Sequence, residues 1–510
     1  MIEQLESRIA PAGIVKITVS KGSLTLGVAA GDTGEQQIDI TNPSSGSFTI
    51  TPDAGTQLQL GSAAPMAAGV AITVDGITRD IKAALGGGND TILFDSGVAP
   101  KNITLDGGEG DDSIRVKTST IAGNLTILGG AGIDSLSVDG DRVTVLGATC
   151  LSGGEGDNTF NINSTTLAVG GNFAIKGGAG KDTINAPGAS NATIAIGGTF
   201  SIAVAAGELT GTIVPSASLT VGNGFTVSAK GATTANTLTI GASGGVFVKG
   251  NVAFALGAGA NTTTFAAGGD LTILGGFSYV GGAGADDLSV NGSGITFTGA
   301  VTMKLGSGAN TVDVSGASFA NVGKGVSITA LEGADSFEWS GSGSVGGKFS
   351  VNLGTGNAQS ALITGTSSGL FVGGGIAISA IGLTATAGVS ITLSNIAVAG
   401  ASVINSGSGI DTINVDGIHF LGATTISTGA NNDAVKIEKG GSTGATTFSS
   451  ATKILLGDGN DSLAVSTDAV AGDITRFAVK WFVDGGSGTN IATLAALNLF
   501  EPFGHQFKSL

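Results

Sequence analysis

One short pattern recurs along this chain at a nearly fixed interval. Gly-Gly-x-Gly-x-Asp/Asn, followed by a small polar or acidic residue and then an apolar one, stands in full at 107–114, 129–136, 153–160, 177–184 and 281–288. GGGNDTI at 86–92 keeps Gly86, Gly88 and Asp90 in register, and looser copies follow at 305–312, 331–337, 406–413, 428–435, 456–463 and 485–492. The first Asp/Asn anchors fall at 90, 112, 134, 158 and 182, in steps of 22, 22, 24 and 24. After a degenerate stretch they resume at 236, 261, 286, 310 and 335, in steps of 25, 25, 24 and 25, and later at 411, 433, 461 and 490. A unit this short cannot bury an apolar face alone, so it must stack on its neighbours.

Each unit spells out its own strands. After the anchor the chain alternates, as in Thr91-Ile92-Leu93-Phe94 and Thr412-Ile413-Asn414-Val415. A period of two is a strand with one face inward. A second alternation follows, such as Val143-Thr144-Val145, and a glycine corner then opens a third, such as Phe173-Ala174-Ile175. Three short strands and three turns fill one repeat. The fold expected is all-β: a single-stranded parallel β-helix (a β-solenoid), three-sided, with 22–25 residues per coil. Residues 1–13 read as an N-terminal tail, 14–84 as irregular first coils or a β cap, 85–492 as the repeats and 493–510 as a C-terminal cap or tail.

Composition agrees with that stack. Glycine fills 90 of 510 positions, and each Gly in a helix interior costs about 1 kcal/mol relative to Ala, so helices are disfavoured. Apolar residues make up 41 %, enough for a large core and too many for a disordered chain. No proline occurs between Pro215 and Pro502, where a missing N–H would break a ladder bond. The formal net charge of −16 argues against nucleic acid as a partner. No apolar run approaches the roughly 18 residues of a transmembrane helix. One Tyr and two Trp are too few for the aromatic girdles of a membrane β-barrel. The N-terminal residues lack the apolar core of a secretory signal.

The GGxGxD turns resemble the calcium-binding nonapeptide of repeats-in-toxin (RTX) proteins. That resemblance implies Ca²⁺ as cofactor, a cation that takes several oxygen ligands. It implies the carboxylates of Asp90, Asp112, Asp134, Asp182 and Asp286, and of Asp411, Asp433 and Asp461 in the later copies, as metal ligands. Carbonyls of Gly107, Gly108, Gly110 and their equivalents would complete the set. The family repeats in tandem nines, two per coil, whereas one such turn occurs per 22–25 residues here, so a two-sided calcium ladder is not implied. A second reading of the same residues needs no metal, because Asp or Asn at a Gly-rich turn bonds local N–H groups. Asn stands at 158, 236, 261, 310 and 490.

The segment LESRIAPA at 5–12 resembles the short LEPR-like N-terminal sequences of large β-strand-repeat surface proteins from planctomycete-type bacteria, which implies export to the cell surface. The function expected is therefore a non-catalytic, extracellular, structural or adhesive solenoid, displayed at or assembled on a bacterial surface in the manner of a surface-array subunit. Its expected partners are calcium, further copies of itself or a surface glycan. The alternative is a glycan-binding or polysaccharide-degrading β-helix. Against catalysis, the five arginines (Arg8, Arg79, Arg115, Arg142 and Arg476) are scattered, and the two histidines, His419 and His505, stand in no readable triad. Trp339 falls at an inward strand position. Cys150 reads as a small buried strand residue.

Overall fold

The computed structural model describes residues 13–186, 193–356, 358–366, 368–382, 388–438, 444–467, 474–494, 499–500 and 506–510. The LESRIAPA segment and His505 lie outside them. Among the described residues every regular element is a strand. Two compact units divide the chain, residues 1–244 and 245–510.

In the first unit the expected stack is present. The wall that opens each coil is built by Ile81–Gly87, Ile103–Glu109, Leu125–Ala131, Thr149–Glu155 and Phe173–Lys176, each parallel to the next and in register. The following two walls come from Thr91–Asp95, Ser113–Ile121, Ser135–Val145 and Thr159–Val169. In the longer of these one strand runs through both walls, and the register shift between Lys117 and Ser119 marks where it bends. Three inward sets result in each coil, for example Ile103 and Leu105, then Ile114 and Val116, then Ile121, all fully buried. The alternation read from the sequence is this division between inward apolar and outward polar residues.

Residues 14–84 mix antiparallel and parallel pairing. Ile14–Ser20 pairs antiparallel with Ser23–Gly27, and Ser47–Pro52 pairs antiparallel with both Gln37–Ser44 and Ile72–Val74. Two of these strands then hand over to the coils: Ser23–Gly27 runs parallel to Ile81–Gly87, and Gln37–Ser44 parallel to Thr91–Asp95.

The second unit repeats the architecture. Its opening wall includes Phe277–Val280, Val301–Lys304, Val326–Thr329 and Phe349–Gly356, in parallel register. Like residues stack upon like. In the first unit Phe173, Phe200 and Phe225 form a column with ring centroids 5.1 and 5.0 Å apart. In the second, Phe420, Phe448 and Phe477 do the same at 5.1 and 4.8 Å, and Trp481, on the wall that pairs with Thr452, stacks on Phe477 at 4.1 Å. Such offset pairs add about 0.5–1.5 kcal/mol each beyond their burial. Trp339 is fully buried. Cys150 departs from expectation: it lies between Thr126 and Ala174 in the outward register of its wall and is partly exposed, while Leu151 takes the inward place.

Candidate functional site

The recurrent Asp/Asn is the position at which the solenoid repeatedly places a carboxyl or amide side chain inside. Asp90, Asp112, Asp134, Asp182, Asp286, Asp411, Asp433 and Asp461 are all buried, as are Asn158, Asn261, Asn310 and Asp335. Each ends a GGxGx turn and begins the next strand, so its side chain enters the core just where the chain rounds the corner.

One oxygen of each side chain serves the coil below. The N–H of Gln36 donates to Oδ1 of Asp90 at 2.7 Å, that of Asp90 to Asp112 at 2.7 Å, that of Asp112 to Asp134 at 2.9 Å and that of Asp134 to Asn158 at 3.1 Å. In the second unit Asp286 N–H donates to Asn310 and Asn310 N–H to Asp335. Val389, Asp411, Asp433 and Asp461 donate in turn to Asp411, Asp433, Asp461 and Asn490. The carboxyls expected as metal ligands stack on one corner, coil over coil, as rungs of an internal ladder. Asp90, Asp112 and Asp134 are consecutive, as are Asp411, Asp433 and Asp461. Asp286 stands between two asparagines, Asn261 and Asn310.

The other side-chain atom distinguishes Asp from Asn. Asn158 Nδ2 donates to the carbonyls of Gly154 and Gly156 at 3.4 and 3.1 Å, and Asn310 Nδ2 to those of Gly306 and Gly308 at 3.4 and 3.0 Å. At the aspartates Oδ2 takes this place. A Cβ built on Gly107 would meet Asp112 Oδ2, just as one on Gly153 would meet the amide of Asn158. In Asp90, Asp112, Asp134, Asp182, Asp286, Asp335, Asp411, Asp433 and Asp461, Oδ2 is buried with no hydrogen-bond partner. An ionised oxygen facing carbonyl oxygens is unfavourable, and either a proton or a cation relieves it.

The titration of these groups follows. Burial pushes the carboxyls of Asp90 and Asp433 up to about 7 and those of Asp112, Asp182 and Asp286 up to about 6, opposed by the hydrogen bonds that they accept. Neighbouring rungs add to the rise at Asp90, from Asp112, and at Asp433, from Asp411 and Asp461. Asp134, Asp335, Asp411 and Asp461 are raised for the same first cause.

The glycines of the motif have two distinct reasons. Gly108 and Gly110 adopt φ of +118° and +122°, and a Cβ on Gly108 would lie 1.8 Å from the carbonyl oxygen of Gly86 in the coil below. Gly107 leaves room for Asp112 itself. In donor chemistry the corner fits calcium in part: Oδ2 and the Gly108 and Gly110 carbonyls are hard oxygen ligands. Among the described residues no group of three or more His, Cys, Asp or Glu side chains converges as a metal site.

The sequence spacing places degenerate coils near 211, 358 and 385 without naming their ladder residues, and gives no coil at Gln36, because the residues there break the motif. Register places Gln36 below Asp90, Leu209 beside Asp182, and Gln359 and Val389 between Asp335 and Asp411. The residue that follows each of them, Gln37, Thr210, Ser360 and Ser390, continues the strand register and could have marked them.

Fold and corner together define a parallel β-solenoid with an internal Asp/Asn ladder. No protein-family model matches the chain, and no curated protein matches it.

Proposed function

We propose that this chain is a non-catalytic structural or adhesive β-solenoid, displayed at or assembled on a bacterial cell surface, with calcium held at its aspartate corners. The observation that carries the calcium is the set of buried Oδ2 atoms without a hydrogen-bond partner. A cation at Asp112 would be held by Oδ2 and by the carbonyls of Gly108 and Gly110, and would supply positive charge where the asparagines supply an amide N–H. The asparagine corners need none. Support for a scaffold role comes from the share of the chain that the coils use. Support for the surface comes from the GGxGxD and LESRIAPA resemblances.

Calcium titration of the chelator-treated chain, followed by thermal melting and by particle imaging, tests both parts. The expected result is a melting temperature that rises with calcium and falls back on chelation, together with ordered assemblies in calcium. Superimposable melts with and without chelator remove the metal from the proposal. Dispersed particles in calcium remove the assembly.

A further inference from the structure

In the second unit, six outward side chains form one column on the third wall. Parallel register aligns Ser344, Phe371, Ala397, His419, Thr447 and Arg476 on successive coils. Each step is one strand spacing, about 4.8 Å. Residues on either side of the column, such as Leu370, Val372, Ile396, Val398, Ile418 and Phe420, point inward and are buried. The column is therefore held on a packed floor.

At Ala397 the column dips. Its neighbours above and below, Phe371 and His419, carry rings, and both are exposed; Phe371 keeps 44 % of its surface in solvent. Between them lies a depression of about 490 Å³. That volume is in the range of small-molecule sites, roughly 300–1,000 Å³.

One side of the depression is a wall that contains Ser342, Ser368, Gly369 and Asn395. Hydrogen bonds fix that wall in place. Asn395 holds φ at +53°, and its Nδ2 donates to the carbonyl of Gly365 at 3.2 Å and to that of Thr366. The N–H of Gly369 closes the turn onto the Thr366 carbonyl at 2.7 Å. A wall built before the ligand arrives spares the ordering cost of binding.

The chemistry of the lining selects the ligand. Among the described residues it contains a phenyl ring, an imidazole, two serine hydroxyls and an amide, and no Lys, Arg, Asp or Glu. Phosphate or carboxylate ligands call for Arg or Lys forks, and a chain of net charge −16 repels polyanions. An apolar ligand would leave the polar wall unused. A pyranose ring matches both surfaces, with a C–H face for the phenyl ring and a rim of hydroxyls for the wall.

We propose that the notch between Phe371 and His419 binds an uncharged sugar unit of a polysaccharide, its C–H face on Phe371 and its hydroxyls toward His419, Ser342 and Ser368. The site gives the adhesive reading a ligand and owes nothing to the aspartate corners.

Titration calorimetry on the full chain tests this with cellohexaose, xylohexaose and mannohexaose as uncharged probes and hexagalacturonate as the acidic one. At least one uncharged probe is expected to bind. Phe371→Ala should weaken it about tenfold or more, as loss of an aromatic anchor does. Ala397→Trp should abolish it by filling the notch. Ala174→Trp, on an outward position of the first unit, should leave it unchanged, and melting curves verify that each variant is folded. The proposal is overturned if no uncharged probe binds at millimolar concentration, if hexagalacturonate binds in preference, or if both notch variants bind like the parent chain. The imaging experiment reads the scaffold role separately, so either idea can fail alone.

Discussion

The backbone N–H of Asp112 donates to Oδ1 of Asp134, 22 residues further along the chain and one coil on, at 2.9 Å. This bond ties the corner of one coil to the corner of the next through the core. It also leaves the second carboxyl oxygen of Asp134 buried and unmatched. The corner variants below test the two consequences separately.

Asp112→Asn and Asp134→Asn preserve the rung and supply the N–H that Asn158 and Asn310 already direct at glycine carbonyls. Both should hold or raise stability at pH 7.5 in chelator, by about 0.5–1.5 kcal/mol per site. Asp134→Ala removes the acceptor and strands the N–H of Asp112, which should cost about 1–3 kcal/mol. Denaturant unfolding of the three variants checks both signs.

Acidity should stabilise the metal-free protein. The carboxyls of Asp90 and Asp433 are raised to about 7, and those of Asp112, Asp182 and Asp286 to about 6, against about 3.9 in an unfolded chain. A group with a raised folded value binds its proton more tightly in the native state. Its contribution is complete below about pH 4 and is lost as pH rises through 6 to 7. Melting temperature in chelator should therefore fall between pH 5 and pH 8. Replacing Asp90, Asp112 and Asp134 together by Asn should flatten that slope. A slope unchanged in the triple variant would place the titration elsewhere.

Gly108→Ala should cost about 3 kcal/mol or more, because φ is +118° and the new methyl meets the Gly86 carbonyl oxygen at 1.8 Å. Gly76→Ala is the control. Its φ is +77°, but nothing lies within 4 Å of the added carbon, so about 1 kcal/mol is expected. Equilibrium unfolding of the two variants separates steric stacking from backbone strain.

Phe200 sits between Phe173 and Phe225 in a three-ring column and is buried. Phe200→Ala should cost about 3–5 kcal/mol, and Phe200→Leu clearly less, because the larger side chain fills more of the cavity. Thermal or denaturant unfolding gives both values.

Much of the fold is legible in the chain because a stacked coil repeats one local decision. Thr91-Ile92-Leu93-Phe94 alternates because one face of its strand is core, and the coils above repeat the choice. The destination of the aspartates is less legible. A GGxGxD turn reads equally well as a solvent-facing ion loop and as an inward rung; only the parallel register, Ser113 against Ser135, turns the carboxyl under the next N–H. The side of Cys150 is hard to read for a related reason: in Thr149-Cys150-Leu151 either parity offers an apolar inward residue, and the neighbouring coils decide. Phe371 raised no signal, since an aromatic between Leu370 and Val372 looks like core until the alternation is anchored.

Every rung joins only adjacent coils, so resistance to a pulling force along the stack is set by the poorest joint, not by the sum. Two successive ladder positions of the second unit supply no rung: Gln359, whose Oε1 is buried without a hydrogen-bond partner, and Val389, whose side chain offers no acceptor. Among the described residues of the second unit, the stretch from Asp335 to Val389 is where the stack should part first under load, so that extension releases intact blocks of coils instead of unravelling the unit residue by residue.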